Sequence, residues 1–178
     1  MIIYNGASSL LDPRVVSRMR FGHAAKFLAP LAPLIKIGLA TRRKGKTAMG
    51  RAMSHVLSVA MNKEFPNLEI EPANVRLSEG NLPNPTHIRI EREENVIKVS
   101  WEKTALGREV YADDEVIICA YDIPGKVAFR NTEPAERKDG CSNIELSDDK
   151  TDVSVHLYLM CHNRDKTKFS RSIYLGYL

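Results

Sequence analysis

Cysteine is scarce in this chain: Cys119, Cys141 and Cys161 are its only three, and no two form a CxxC pair. That spacing excludes a zinc knuckle and a thioredoxin-like site. Cys119 and Cys161 sit in apolar, strand-like runs and read as small core residues. A disulfide between them is open if those strands are neighbours. The histidines, His23, His55, His87, His156 and His162, show no HExxH or other metal spacing. His156 and Cys161 are an odd number of residues apart and so face opposite sides of a regular strand. No Gly-x-Ser-x-Gly elbow is present to present a nucleophile. Gly45-Lys46-Thr47 ends like a phosphate-binding loop, but Ala40 stands where its first glycine belongs, and the segment follows a helix instead of a strand. Carboxylates gather at Glu91, Glu93 and Glu94 and again at Asp113, Asp114 and Glu115. Both groups fall at strand ends and turns, and the second lacks the spaced Asp/Asn/Gly loop of a calcium site. The expectation is a non-enzyme, with no catalytic residue, no metal and no cofactor.

Long apolar runs are also missing. The most apolar stretch, Phe27 to Ala40, is broken by Pro30, Pro33 and Lys36, and is too short to span a bilayer. The first residues, Met1-Ile-Ile-Tyr-Asn-Gly, lack the basic and apolar regions of a signal peptide. A cytoplasmic location is therefore the default expectation, with no membrane partner.

What is present divides at Pro66. The composition, 43% hydrophobic and 27% charged, is that of a globular protein. Residues 1–66 hold eleven Lys and Arg against Asp12 and Glu64, a net +9; the whole chain is +4, which leaves −5 for the remainder. A split of this kind points to an anionic partner for the first part or to attraction between the two parts. Asp12-Pro13 is a good helix start, followed by Val15, Val16, Met19, Ala24, Phe27 and Leu28 at helical spacing. Pro30 and Pro33 end that helix and open a short second one. Thr47 caps a third, expected from Ala48 to about Glu64, with Met53, Val56, Leu57, Ala60 and Met61 as its buried face.

After Pro66 the period shortens to two. Ile97, Val99 and Trp101 alternate with Lys98 and Ser100, and further short runs follow through Val116–Tyr121, Val127–Phe129, Ile144–Leu146, Val153–Leu159 and Phe169–Leu175. About eight strands separated by turn residues predict an antiparallel β-sandwich. The fold class is thus α+β: a basic helical segment over 1–66 and a sandwich domain over 71–178. Trp101, Val116, Ile118, Val155, Leu157, Leu159 and Tyr174 are expected in or beside the sandwich core.

Several stretches, taken in order, carry a resemblance. They are Phe27-Leu28-Ala29-Pro30 with Ile37-Gly38, Phe65-Pro66, Gly80-Asn81-Leu82-Pro83, Trp101, Arg137 with Gly140, Val155 to Leu159, and Ser170 to Gly176. Over roughly residues 18–176 the chain resembles the domain-of-unknown-function family numbered 6266, found mainly in Bacteroidota. The family's usual Gly-rich opening segment has no counterpart here. The sheet half also resembles the fibronectin type III and immunoglobulin-like plan, in which an early-strand Trp packs under the last hairpin. Neither resemblance implies an activity.

Two functions are expected from this. The first is an interaction or structural module that binds a protein or assembles with itself; no small-molecule substrate is indicated. The alternative is nucleic-acid binding through the basic segment, with Arg42, Arg43, Lys44, Lys46 and Arg51 contacting phosphates.

Overall fold

A computed structural model describes residues 12–41, 45–62, 64–103 and 110–178 of the chain. Helix α1 runs Pro13–Leu28, with the Asp12 side chain accepting the Arg14 N–H at 2.9 Å. Pro13 fits the first helical position because its missing N–H would have no partner there. Helix α2 follows as Ala32–Gly38, and α3 as Ala48–His55, capped by Thr47 Oγ1 accepting from the Gly50 N–H at 3.0 Å.

The third helix is shorter than expected and changes pitch. Val56–Ala60 form a wider π turn, closed by the Met61 N–H donating to the Val56 carbonyl at 2.8 Å, and Met61 is already extended. Met61 then bridges Ile70, which ends the helix before Glu64. Residues four apart drift around an α-helix, and the wider turn reverses that drift. Ala52, Val56 and Ala60 consequently all face the core. Met53 and Leu57, expected there too, are only half-buried.

The eight strands are β1 (Arg89–Glu93), β2 (Val96–Ser100), β3 (Glu115–Asp122), β4 (Val127–Arg130), β5 (Ala135–Glu136), β6 (Cys141–Glu145), β7 (His156–His162) and β8 (Ile173–Tyr177). They form two sheets. One is antiparallel β1-β2-β6; the other is β4-β3-β7-β8, with β5 beside β4 on the outer edge of β3. Asn131 bridges the gap between β4 and β5: its Oδ1 accepts the Ile118 N–H at 3.1 Å.

The near-continuous apolar runs of β3 and β7 follow from burial on both faces. Val116, Ile118, Ala120, Leu157, Leu159 and Cys161 pack against Ile97, Val99, Trp101 and Ile144 in the sandwich interior. Ile117, Cys119, Tyr121, Tyr158 and Met160 point the other way, onto Ala24, Phe27, Leu28, Ile35 and Val56 of the helices. The order is helices, five-stranded sheet, three-stranded sheet. Tyr121 ties the first two layers, its hydroxyl donating to the Phe27 carbonyl at 2.8 Å. Tyr174, expected by the sandwich core, lies on the helix side; Ile173 and Leu175 take the interior positions.

The same alternation settles the cysteines. Strands β3 and β7 are neighbours, yet Cys119 sits opposite Tyr158 and Cys161 opposite Val116, on opposite faces of the sheet. All three thiols are free. Burial pushes the Cys119 and Cys161 thiols up to about 12, so both behave as inert core residues.

Between helices and sandwich runs a strap, residues 77–82, stapled to the chain entering β8. Ser172 Oγ accepts the Leu77 N–H at 2.8 Å, and Ser78 Oγ donates to the Ser170 carbonyl at 2.7 Å. The Leu82 N–H donates to the Phe169 carbonyl at 3.0 Å. Gly38 of α2 lies against this strap, where a Cβ would come within 2.8 Å of the Ser78 Cα.

Candidate anion-binding cleft at the start of α3

Of the basic residues singled out in the sequence, Arg42, Arg43 and Lys44 lie outside the described residues. Lys46 is exposed at the entrance to α3. Arg51, one turn into the helix, is instead a structural fastener. Its guanidinium donates to the carbonyls of Leu39 at 3.2 Å and Thr41 at 2.8 Å, and pairs with Glu79 at 2.7 Å, with the side chain only 8% exposed. It thus joins the α2–α3 connection to the strap, and its donors are directed inward. Arg's planar fork suits such a junction, because it can serve several acceptors at once.

Lys46 and Arg51 nevertheless line one cleft of about 460 Å³, together with Ser54, His55, Ser58, Arg76 and Glu79. Thr47 and Gly50 bring the first turn of α3 into the same wall. The charge of Arg171, from the chain before β8, also reaches this region and acts on His55. Thus Arg76 adds a cation to the cleft wall with Lys46, and Arg171, far away in sequence, adds its field at His55. Neither stands out from the sequence, since no local pattern links positions so distant.

Burial holds the His55 imidazole below its ordinary value; the hydrogen bond to the Asn74 carbonyl opposes this, the charge of Arg76 adds to it, and the lesser effects of Glu79 and Arg171 raise and lower it in turn. The ring is neutral at pH 7, and its Nε2 lies 3.0 Å from the Asn74 carbonyl, to which it donates. Ser58 Oγ donates to the Ser54 carbonyl at 2.7 Å. The cleft therefore combines the cationic Lys46 and Arg76 side chains with hydroxyl and imidazole groups bonded to nearby backbone. Such an arrangement attracts anions by charge, assisted by the positive end of the α3 dipole.

The acidic group Asp113, Asp114 and Glu115 does not converge. Asp114 is buried against Arg137, Glu115 lies 3.3 Å from the His162 ring, and Asp113 lies 4.0 Å from Arg164. Among the described residues no group of three or more His, Cys, Asp or Glu side chains is placed to hold a metal ion. No helix among them is long and apolar enough to cross a membrane.

No curated protein and no solved structure matches the chain. One family model does match, the Family of unknown function (DUF6266), over residues 5–176. The stretches that carry the resemblance also hold the fold together: Gly80 and Ser170–Ser172 close the strap, and Trp101 and Arg137 join under the sandwich. With nearly its whole length matched, the chain belongs to the Family of unknown function (DUF6266).

Proposed function

We propose that this chain is a non-catalytic interaction module that assembles through the first turns of α1. The observation that carries the reading is exposed apolar surface. Val15, Met19 and Phe21 are 37%, 48% and 54% exposed, and Val59, at the end of the third helix, is 54% exposed. Helix α1 buries Ala24, Phe27 and Leu28 in its second half, whereas its first half touches the fold mainly through Val16 and Arg20. Val15 and Met19, four apart, share one face of α1, while Phe21 projects from the other side beside Pro13 and Ser17. Helical turns without tertiary packing gain little stability in water, and exposed apolar side chains on such turns mark contact surfaces. Cytoplasmic placement accords with the three free thiols.

Sedimentation velocity over rising concentration tests this reading. The intact chain is expected to self-associate, and Met19→Glu with Phe21→Glu to weaken that association by roughly tenfold or more, since each buried side chain of this size contributes about 1.5–3 kcal/mol. A monomer at all concentrations, or association indifferent to both substitutions, would reject assembly through α1.

A second reading, nucleic-acid binding, is favoured by Arg76 lining the cleft with Lys46 and by the charge of Arg171 reaching His55 within it. Fluorescence anisotropy with labelled DNA and RNA, at near-physiological and doubled salt, tests it. Binding that falls with salt and is lost in Lys46→Gln/Arg76→Gln/Arg171→Gln would support it. Arg51 is excluded from that variant because its loss would loosen the α2–α3 connection. Binding that survives the triple change would move the interface away from this cleft.

A further inference from the structure

At the edge of the five-stranded sheet, on the face that the helices share, four rings stand in a row. Tyr177 and His156 have centroids 4.6 Å apart, His156 and Tyr174 5.9 Å, and Tyr174 and Tyr158 5.4 Å. The row exists because β7 and β8 shift register between Leu157 and Tyr158. Tyr158 pairs with Tyr174 and His156 with Tyr177, so tyrosines three positions apart on β8 face the same way. Tyr158 is buried, its hydroxyl donating to the Pro72 carbonyl at 2.9 Å. Tyr174 and His156 are half-buried and Tyr177 is 64% exposed. The outer end of the row is therefore open to solvent.

Among the described residues, Glu71 is the charged side chain whose field reaches this row. The Glu71 N–H donates to the Ala60 carbonyl at 2.8 Å, which holds Glu71 at the end of the third helix, directly before Pro72. Its carboxylate acts on His156, Tyr158 and Tyr174 together. No Lys or Arg among the described residues forms an ion pair with Glu71. His156 Nδ1 lies 2.9 Å from the Tyr174 hydroxyl, and burial keeps the imidazole below its ordinary value, so the ring is neutral at pH 7. Among the described residues, the face thus offers aromatic surface and the Glu71 carboxylate, with no Lys or Arg ion-paired to it.

We infer that this aromatic row takes a Lys or Arg side chain from a basic segment of a protein partner, with Tyr177 and His156 receiving the cation on their ring faces and Glu71 neutralising it. Ring faces attract cations through their quadrupole, and the attraction grows where water is partly excluded. A phosphate-bearing strand would stack on the same rings but meets the negative charge of Glu71. This surface is separate from the exposed part of α1, and the inference stands whether or not α1 assembles the chain.

The test is a titration of the full chain with blocked tetra-arginine peptide, followed by NMR of the tyrosine and histidine ring signals. Binding should move the Tyr177, His156 and Tyr174 signals. Tyr177→Ala and Glu71→Gln should each weaken it about three- to tenfold, while Glu93→Gln, on β1 of the other sheet, leaves it unchanged. Tyr177 is exposed enough for its loss to spare the fold. The inference is overturned if the rings do not shift, if a tetra-citrulline peptide binds equally well, or if Glu93→Gln weakens binding as much as Glu71→Gln. A single-stranded oligonucleotide shifting the same rings, with tetra-arginine silent, would replace it with nucleic-acid stacking.

Discussion

Arg137→Ala is expected to remove about 3–5 kcal/mol of stability, the cost of leaving one member of a buried ion pair alone. Arg137 is 2% exposed and Asp114 is fully buried, with Nε and Oδ2 3.4 Å apart. That distance gives an ion pair without a good hydrogen bond; Nε and Asp114 Oδ1 have no hydrogen-bond partner. The remaining contacts hold the geometry. Arg137 Nη2 donates to the Pro83 carbonyl at 2.7 Å, the Tyr111 N–H donates to Asp114 Oδ2 at 3.1 Å, and Trp101 Nε1 donates to the Arg137 carbonyl at 2.9 Å. The residue therefore links the strap's exit, the turn before β3 and the one tryptophan. Denaturant unfolding should show the loss as a lower midpoint. A paired change, Arg137→Met with Asp114→Leu, should lose much less than the single change, because no charge is left unpaired. Equal losses in the two variants would mean that the side-chain hydrogen bond to the Pro83 carbonyl, not the charges, holds this corner.

Gly80→Ala is expected to cost about 3 kcal/mol, near the upper end for overpacking. A Cβ at Gly80 would strike the Phe169 carbonyl oxygen and lie 2.7 Å from its carbon, so the obstacle is backbone and not a side chain that can swing aside. To make room, the strap must part from the chain entering β8, endangering the Leu82–Phe169 and Ser78–Ser170 hydrogen bonds. Gly22→Ala provides the contrast. Gly22 is helical, and nothing lies within 4 Å of its added Cβ. That change should raise stability by about 1 kcal/mol, the helix-propensity difference. Thermal unfolding of both variants checks the pair. A mild Gly80→Ala would show that the strap is loosely held.

The strands were easiest to read where both neighbours along the chain were apolar. Val116–Tyr121 is apolar on both faces and Val155–Leu159 is broken only by His156, and most of β3 and β7 is covered on both sides. The two-residue β5 carries no periodicity of its own; it exists because Asn131 and the β3 edge receive it. The third helix misled at its end. Its apolar stripe continues to Met61, but the Met61–Ile70 bridge captures the chain first. Tyr174 misled because alternation gives two faces without saying which is interior: Ile173 pairs with inward Leu159 and Tyr174 with Tyr158, which puts Tyr174 on the helix side.

The candidate site was less legible. Lys46 could be named from its position before a helix cap, but the basic cluster around it could not be sorted. Arg51 looks like its neighbours in sequence, and only the approach of Glu79 and the Leu39 and Thr41 carbonyls makes it a fastener. Arg76 joins the cleft, and the charge of Arg171 reaches it, from two other parts of the chain.

By itself the sequence determined the α+β class, the Asp12 and Thr47 helix starts, the basic first part and the family. Each depends on residues close together in the chain, where backbone geometry fixes which side chains share a face. Tertiary structure alone decided that the helices cover the five-stranded sheet, that Cys119 and Cys161 face apart, that Arg137 meets Asp114, and that Glu71 stands beside a row of rings. Those outcomes depend on which strands adjoin and in what register, and register is set by the packing of the whole chain.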